Sequence, residues 1–163
     1  MRLVLPVLAI ASLSSACASS PNASSGSAEA GVKAATYFEE TSFLMPTEDG
    51  EESAEGEDGS KMVDATDCLS IQPAADGGIR YDFAFNFPYD HMCEMHGEAK
   101  LIKPGVWEDV SQENCRLVID FDGKSWSVND PDSSCREMWC GARGNIGHSF
   151  STSKGKALTQ CGS

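Results

Sequence analysis

A chain of 163 residues with 25 acids against 12 lysines and arginines carries a formal charge of −13. That balance offers no basic stripe for phosphates and argues against nucleic acid as a partner. It also sets the chain against an anionic membrane surface and in favour of a cationic partner.

The first residues read as a secretory signal peptide, residues 1–16: Arg2, an apolar run from Leu3 to Leu13, and the small-residue exit Ser14-Ser15-Ala16. The apolar run is shorter than the roughly 20 residues that a membrane-spanning helix needs. Leu13-Ser14-Ser15-Ala16-Cys17 resembles the lipobox of bacterial lipoproteins. The resemblance implies acylation at Cys17 and a membrane anchor, with Ser14 standing where an apolar residue is usual. The alternative is plain secretion after cleavage near Ala16 or Ala18. Either address places the mature protein outside the cytoplasm, as an outer-membrane lipoprotein facing the periplasm or as a secreted protein.

Residues 17–67 are expected to form a flexible linker. Its first part is rich in Ser, Ala and Gly and has too little apolar content to offset the entropy of ordering. Within it Val32–Met45 is apolar enough for a short ordered segment, ended by Pro46. That segment either docks on the domain or serves as a partner-binding motif. From Glu48 to Asp67 the chain then carries nine acids and one base, Lys61, as a solvated acidic stretch.

The remainder, 68–163, has the pattern of a small antiparallel β domain. Cys68–Gln72 reads as a strand before the turn signal Asp76-Gly77-Gly78. Ile79, Tyr81, Phe83, Phe85 and Phe87 then alternate with polar or small residues, which gives a half-buried strand with one aromatic face. Cys93 to Ile102 reads as a second long strand with Cys93, Met95, Gly97, Ala99 and Leu101 on one side. Lys103-Pro104-Gly105 turns it into a short strand at Val106-Trp107, and Cys115 to Phe121 alternates again. Asp122-Gly123 is a hairpin signal leading to Trp126 and Val128. No stretch after residue 67 keeps a helical period, so the expectation is an all-β fold, a disulfide-stapled antiparallel barrel or sandwich.

With Cys17 set aside, Cys68, Cys93, Cys115, Cys135, Cys140 and Cys161 remain. An even set in an oxidising compartment argues for disulfides, which a domain this small needs for stability. Connectivity stays open. Tying the ends of the domain together favours Cys68 with Cys161, which leaves the other four to pair among themselves.

The string Cys135-Arg136-Glu137-Met138-Trp139-Cys140-Gly141-Ala142-Arg143-Gly144 suggests a covalently held loop. Gly141 and Gly144 are expected to allow positive φ on either side of Arg143 and make it protrude as a binding residue, supported by Trp139. The plainer reading pairs Arg143 with a surface acid.

The order Cys93…Gly97-Glu98-Ala99, Trp107, Cys115-Arg116-Leu117-Val118-Ile119, Asp130, Cys135, Cys140-Gly141-Ala142-Arg143-Gly144…Phe150 resembles a group of small proteobacterial envelope proteins, some of them described as related to lysozyme inhibitors. The likeness runs from about Ile79 to Phe150. Membrane-bound inhibitors of c-type lysozyme are small β-barrel lipoproteins whose Ser-Gly-x-Arg/Lys-Tyr loop enters the lysozyme cleft. Here Arg143 stands at the basic position, Cys140 replaces the Ser and Gly144 replaces the Tyr. The resemblance implies a binding module that inhibits a cationic lysozyme or another peptidoglycan hydrolase. The rival reading is a structural envelope protein that binds another envelope component, through Val32–Met45 or the aromatic face at Ile79–Phe87.

A further alternative is a periplasmic metal-binding protein, since His91-Met92-Cys93-Glu94-Met95-His96 holds ligands suited to a soft metal. A disulfide at Cys93 removes its thiolate, and in a strand His91 and His96 face opposite ways. No metal site and no cofactor are therefore expected. His148-Ser149 and the domain's scattered acids could be combined into a triad only by composition, which does not define one, and Asp120 and Asp122 flank a hairpin turn, where acids serve turn chemistry. No catalytic residue is assigned, and the chain is not expected to be an enzyme.

Overall fold

The computed structural model describes residues 31–46, 60–89, 91–111 and 114–161. The leader, Cys17, the Ser-rich spacer and most of the acidic stretch lie outside the described residues. Eight antiparallel strands follow in chain order: β1 (Ala35–Pro46), β2 (Ser60–Pro73), β3 (Ile79–Phe87), β4 (His91–Lys103), β5 (Val106–Asp109), β6 (Leu117–Phe121), β7 (Ser125–Asn129) and β8 (His148–Ser151). Each pairs with the next in sequence. The ring comes near to closing where Thr36 and Lys156 exchange backbone hydrogen bonds of 3.3 and 2.8 Å. Closure removes most of the unpaired sheet edge.

The alternation read from β3 is the alternation observed. Ile79, Tyr81, Phe83 and Phe85 are buried inside the barrel, and the rings of Phe83 and Phe85 stack 4.3 Å apart. Each fully buried side chain of this size stabilises the fold by roughly 1.5–3 kcal/mol. Cys93, Met95 and Ala99 of β4 and Leu117 and Ile119 of β6 face the same core. Gly97 interrupts this inward row for a steric reason. A Cβ there would sit 2.6 Å from Asp109 Oδ2 and 2.8 Å from the Tyr81 hydroxyl, atoms already joined by a hydrogen bond of 2.7 Å.

The folded unit begins earlier than the expected boundary at residue 68, which falls inside β2. The segment expected to be a short ordered piece of linker is barrel strand β1, in register with β2 from Ala35↔Ile71 to Pro46↔Ser60. Because β3 pairs with β2 only from Cys68 to Pro73, the far halves of β1 and β2 project as a two-stranded arm. A helix that no periodicity announced, α1 (Ser134–Trp139), lies between β7 and β8. It spans only 6 residues, too few for an apolar stripe to repeat.

The three bridges are Cys68–Cys161, Cys93–Cys140 and Cys115–Cys135. The first ties the C-terminal tail to the outside of β2, as expected from the chain ends. The tail is also gripped by Thr36, whose hydroxyl accepts from Thr159 N at 2.8 Å and donates to Thr159 O at 2.9 Å.

Candidate functional site

The barrel has two unlike ends. The turns after β2, β4 and β6, and the chain entering β1, share what we term the entry end. The end of β1 and the described parts of the connections after β3, β5 and β7 share the other, the stapled end. At the stapled end the 130–147 connection is held at two points. Cys135 in α1 joins Cys115 ahead of β6, and Cys140 joins Cys93 at the start of β4. Ile146 is fully buried beneath this connection. The start of α1 is fixed by Asp130, whose Oδ2 accepts from Arg136 N at 2.8 Å.

The expected binding loop is a single 3-10 turn over Gly141–Arg143. Gly141 has φ +64° and needs its glycine for that left-handed backbone. Gly144 does not: its φ is −80°, and the expectation of positive φ there is corrected. Its glycine is required by space, since a Cβ would collide with Cys140 Cβ and lie 2.7 Å from Cys93 Sγ. Gly144 therefore lies against the disulfide, and Arg143 is carried on a turn bonded on one side and packed on the other.

Arg143 is exposed. Its guanidinium lies over the Tyr89 ring, 4.8 Å from the centroid. Among the described residues the ion pairs are Arg80–Glu98, Arg116–Glu108, His148–Asp67 and Lys154–Glu39, and Arg143 is in none of them. Trp139 is half-buried against the core and its indole Nε1 is enclosed without an acceptor. It anchors the connection more than it faces outward.

Tyr89 went unnoticed in the sequence because it sits in a turn without periodicity. It has φ +67°, and its backbone N–H donates to Met45 Sδ at 2.8 Å. That contact ties the β3–β4 turn to the β1–β2 arm. Below it, Asp67 is buried: its Oδ1 accepts from Asn86 N at 2.7 Å, and its Oδ2 lies 3.2 Å from His148 Nδ1. The His148 ring stacks on Phe85 at 4.1 Å. Ser149 follows His148 in β8 and faces the opposite way, so no triad forms there.

Cys93 is consumed in a bridge and cannot serve as a thiolate ligand. His91 and His96 lie on opposite faces of β4. Along the outside of β2–β4 runs a polar groove of about 700 Å³ beneath Leu158–Cys161. Within it Arg80 Nε lies on Glu98 at 2.8 Å, and Asp82 Oδ2 accepts from Cys161 N at 2.9 Å.

No protein-family model, no curated protein and no solved structure matches this chain.

Proposed function

We propose that the chain is a cell-envelope lipoprotein acting as a binding module, and that its partner is a cationic lysozyme or related peptidoglycan hydrolase. The observation that carries this reading is Arg143: an exposed guanidinium on a disulfide-held turn, laid on an aromatic ring and paired with no carboxylate among the described residues. Such a group loses little entropy on docking and keeps its charge for the partner. Glycoside hydrolases hold a pair of carboxylates in the cleft, and an arginine is well suited to meet one. The chain's net charge of −13 favours a basic enzyme during approach.

The anchor fits the same geometry. The chain enters the barrel at the opposite end from Arg143, so a lipid at Cys17 would leave the stapled end turned away from the membrane. Intact mass before and after reduction tests acylation: a diacylglyceryl increment at Cys17 is expected, and an unmodified mature chain would refute the anchor.

The functional test is residual activity of c-, g- and i-type lysozymes in the presence of excess purified protein. Inhibition of at least one class is expected, with Arg143→Ala removing most of it. Unchanged activity of all classes would overturn the inhibitor reading. The structural rival has an observation of its own: Leu44 and Met62, directly opposed on the arm, are 55% and 49% exposed. If endogenous envelope proteins are retained by the wild-type chain but not by Leu44→Ser/Met62→Ser, that rival gains the stronger claim.

A further inference from the structure

The entry end carries its own site, independent of Arg143. Two hollows that share Gly31, Val32, Phe121 and Gly123 in their walls open at the barrel mouth beside the segment 31–34. One, of about 520 Å³, is lined by Val32, Leu101, Pro104, Trp107 and Phe121. The other, of about 450 Å³, is lined by Tyr37, Phe121, Trp126, Lys33 and Lys156. Phe121 and Val32 border both, and neither packs fully into the core. The Phe121 and Trp126 rings stack 4.6 Å apart, and Trp107 sits 5.4 Å from Trp126. Barrel mouths of this volume are common places for a small ligand.

Two observations fix the chemistry of the occupant. The first is a stray donor: Trp126 is 1% exposed, yet its indole Nε1 has no hydrogen-bond partner. A buried polar group left unmatched costs stability unless something supplies an acceptor. The second is charge. In a chain of net −13, the stretches 31–34, 74–78, 103–105, 122–124 and 152–156 at this end hold five lysines against two aspartates. Of the aspartates, Asp122 already accepts from the backbone N–H groups of Lys124 and Ser125 at 2.8 and 2.7 Å. Of the lysines, Lys154 is held by Glu39 and the Lys156 Nζ lies over the Phe38 ring, 4.9 Å from its centroid, while Lys33 and the stem of Lys156 border the hollow.

An apolar hollow, a donor without an acceptor and a rim of lysines together describe one kind of molecule. We propose that the entry end binds a single-chain anionic amphiphile of the fatty-acid class. The acyl chain takes the hollow at Leu101, Trp107 and Phe121, and the carboxylate lies toward Lys33 and Lys156 beside the Trp126 indole. The acidity of the chain as a whole argues against attraction to anionic lipid, but the lysines collected at this end make a local exception.

The test uses the mature chain carrying Cys17→Ser, so that no attached acyl group competes. Dodecanoate is titrated while tryptophan emission is followed, with dodecanol as the neutral counterpart and phosphatidylglycerol vesicles as a separate arm. Saturable binding of dodecanoate is expected, stronger than that of dodecanol. The pair Lys33→Glu/Lys156→Glu should weaken it several-fold, and Leu101→Trp should block it by filling the hollow while the thermal transition is retained. Arg143→Ala should bind dodecanoate as wild type does, which separates this site from the one proposed at the stapled end. No saturable binding, equal binding of acid and alcohol, or binding to vesicles without binding to the monomeric acid would each overturn the proposal.

Discussion

The two ends of this barrel are built from opposite materials. Among the described residues the connections of the stapled end, 88–89, 110–111, 114–116 and 130–147, hold three acids and three arginines, and two of the three disulfides meet there. The entry end has five lysines, tight turns and no disulfide. One end is covalently rigid and polar, while the other keeps an aromatic hollow that its own residues do not fill. A single net charge conceals this. Averaged over the chain, −13 predicts attraction to cations everywhere. Resolved on the barrel, the lysines gathered at the entry end predict an anionic ligand there, while the stapled end balances acids with arginines and presents Arg143.

The largest expected effect comes from cutting the staple. Cys93→Ser/Cys140→Ser should lower stability by about 2–5 kcal/mol in denaturant unfolding. If the ends act separately, the surviving folded protein should lose its hold on a lysozyme and still take up dodecanoate. Equal loss at both ends would show that the barrel answers as one body and would collapse the distinction.

How much of this was legible depends on whether a strand obeys simple alternation. β3, β4, β6 and β7 do, because one face of each fills the barrel, and turn residues such as Gly105 and Gly123 mark their ends with positive φ. The arm of β1 and β2 does not. Its apolar residues, Phe43, Leu44 and Met45, occupy both faces in succession, while β2 there reads Asp64-Ala65-Thr66-Asp67 within an acidic run. Asp67 even points inward, where Asn86 and His148 satisfy it. Composition alone therefore assigned these residues to a linker. The constrained loop around Arg143 was visible through its cysteines and glycines. Tyr89, which holds the guanidinium, comes from a turn 54 residues earlier in a chain whose numbering runs through 163, and no local pattern links the two.

Between the two ends lies a polar pair that tests whether they are coupled. Tyr81 donates to Asp109 Oδ2 at 2.7 Å, and Ser111 N donates to Oδ1 at 2.7 Å. Burial, reinforced by the carboxylate, pushes the Tyr81 phenol well above its ordinary value. The native protein thus holds this proton more tightly than the unfolded chain does. The resulting stability is complete below the unfolded value of about 10 and is lost as pH rises beyond it. Tyr81→Phe leaves Asp109 Oδ2 buried without its donor and should cost about 1–3 kcal/mol at neutral pH. Above the ordinary tyrosine value the gap between mutant and wild type should narrow, as urea melts at the two pH values will report. A constant gap would mean that Tyr81 contributes packing rather than proton affinity.

The smallest stability effect should accompany the largest functional one. Arg143 touches the fold through an exposed ring, and a cation on an aromatic face at such a site is worth about 0.5–1 kcal/mol. Arg143→Ala should therefore shift the thermal transition only slightly, whereas partner binding at the stapled end should fall steeply. Tyr89→Leu removes the same stacking while keeping the charge, and its effect on binding should be intermediate. If Arg143→Ala unfolds the stapled end instead, seen as faster amide exchange across 134–147, the residue is a structural clasp. The contrast between a rigid partner face and an open ligand mouth would then rest on the disulfides alone.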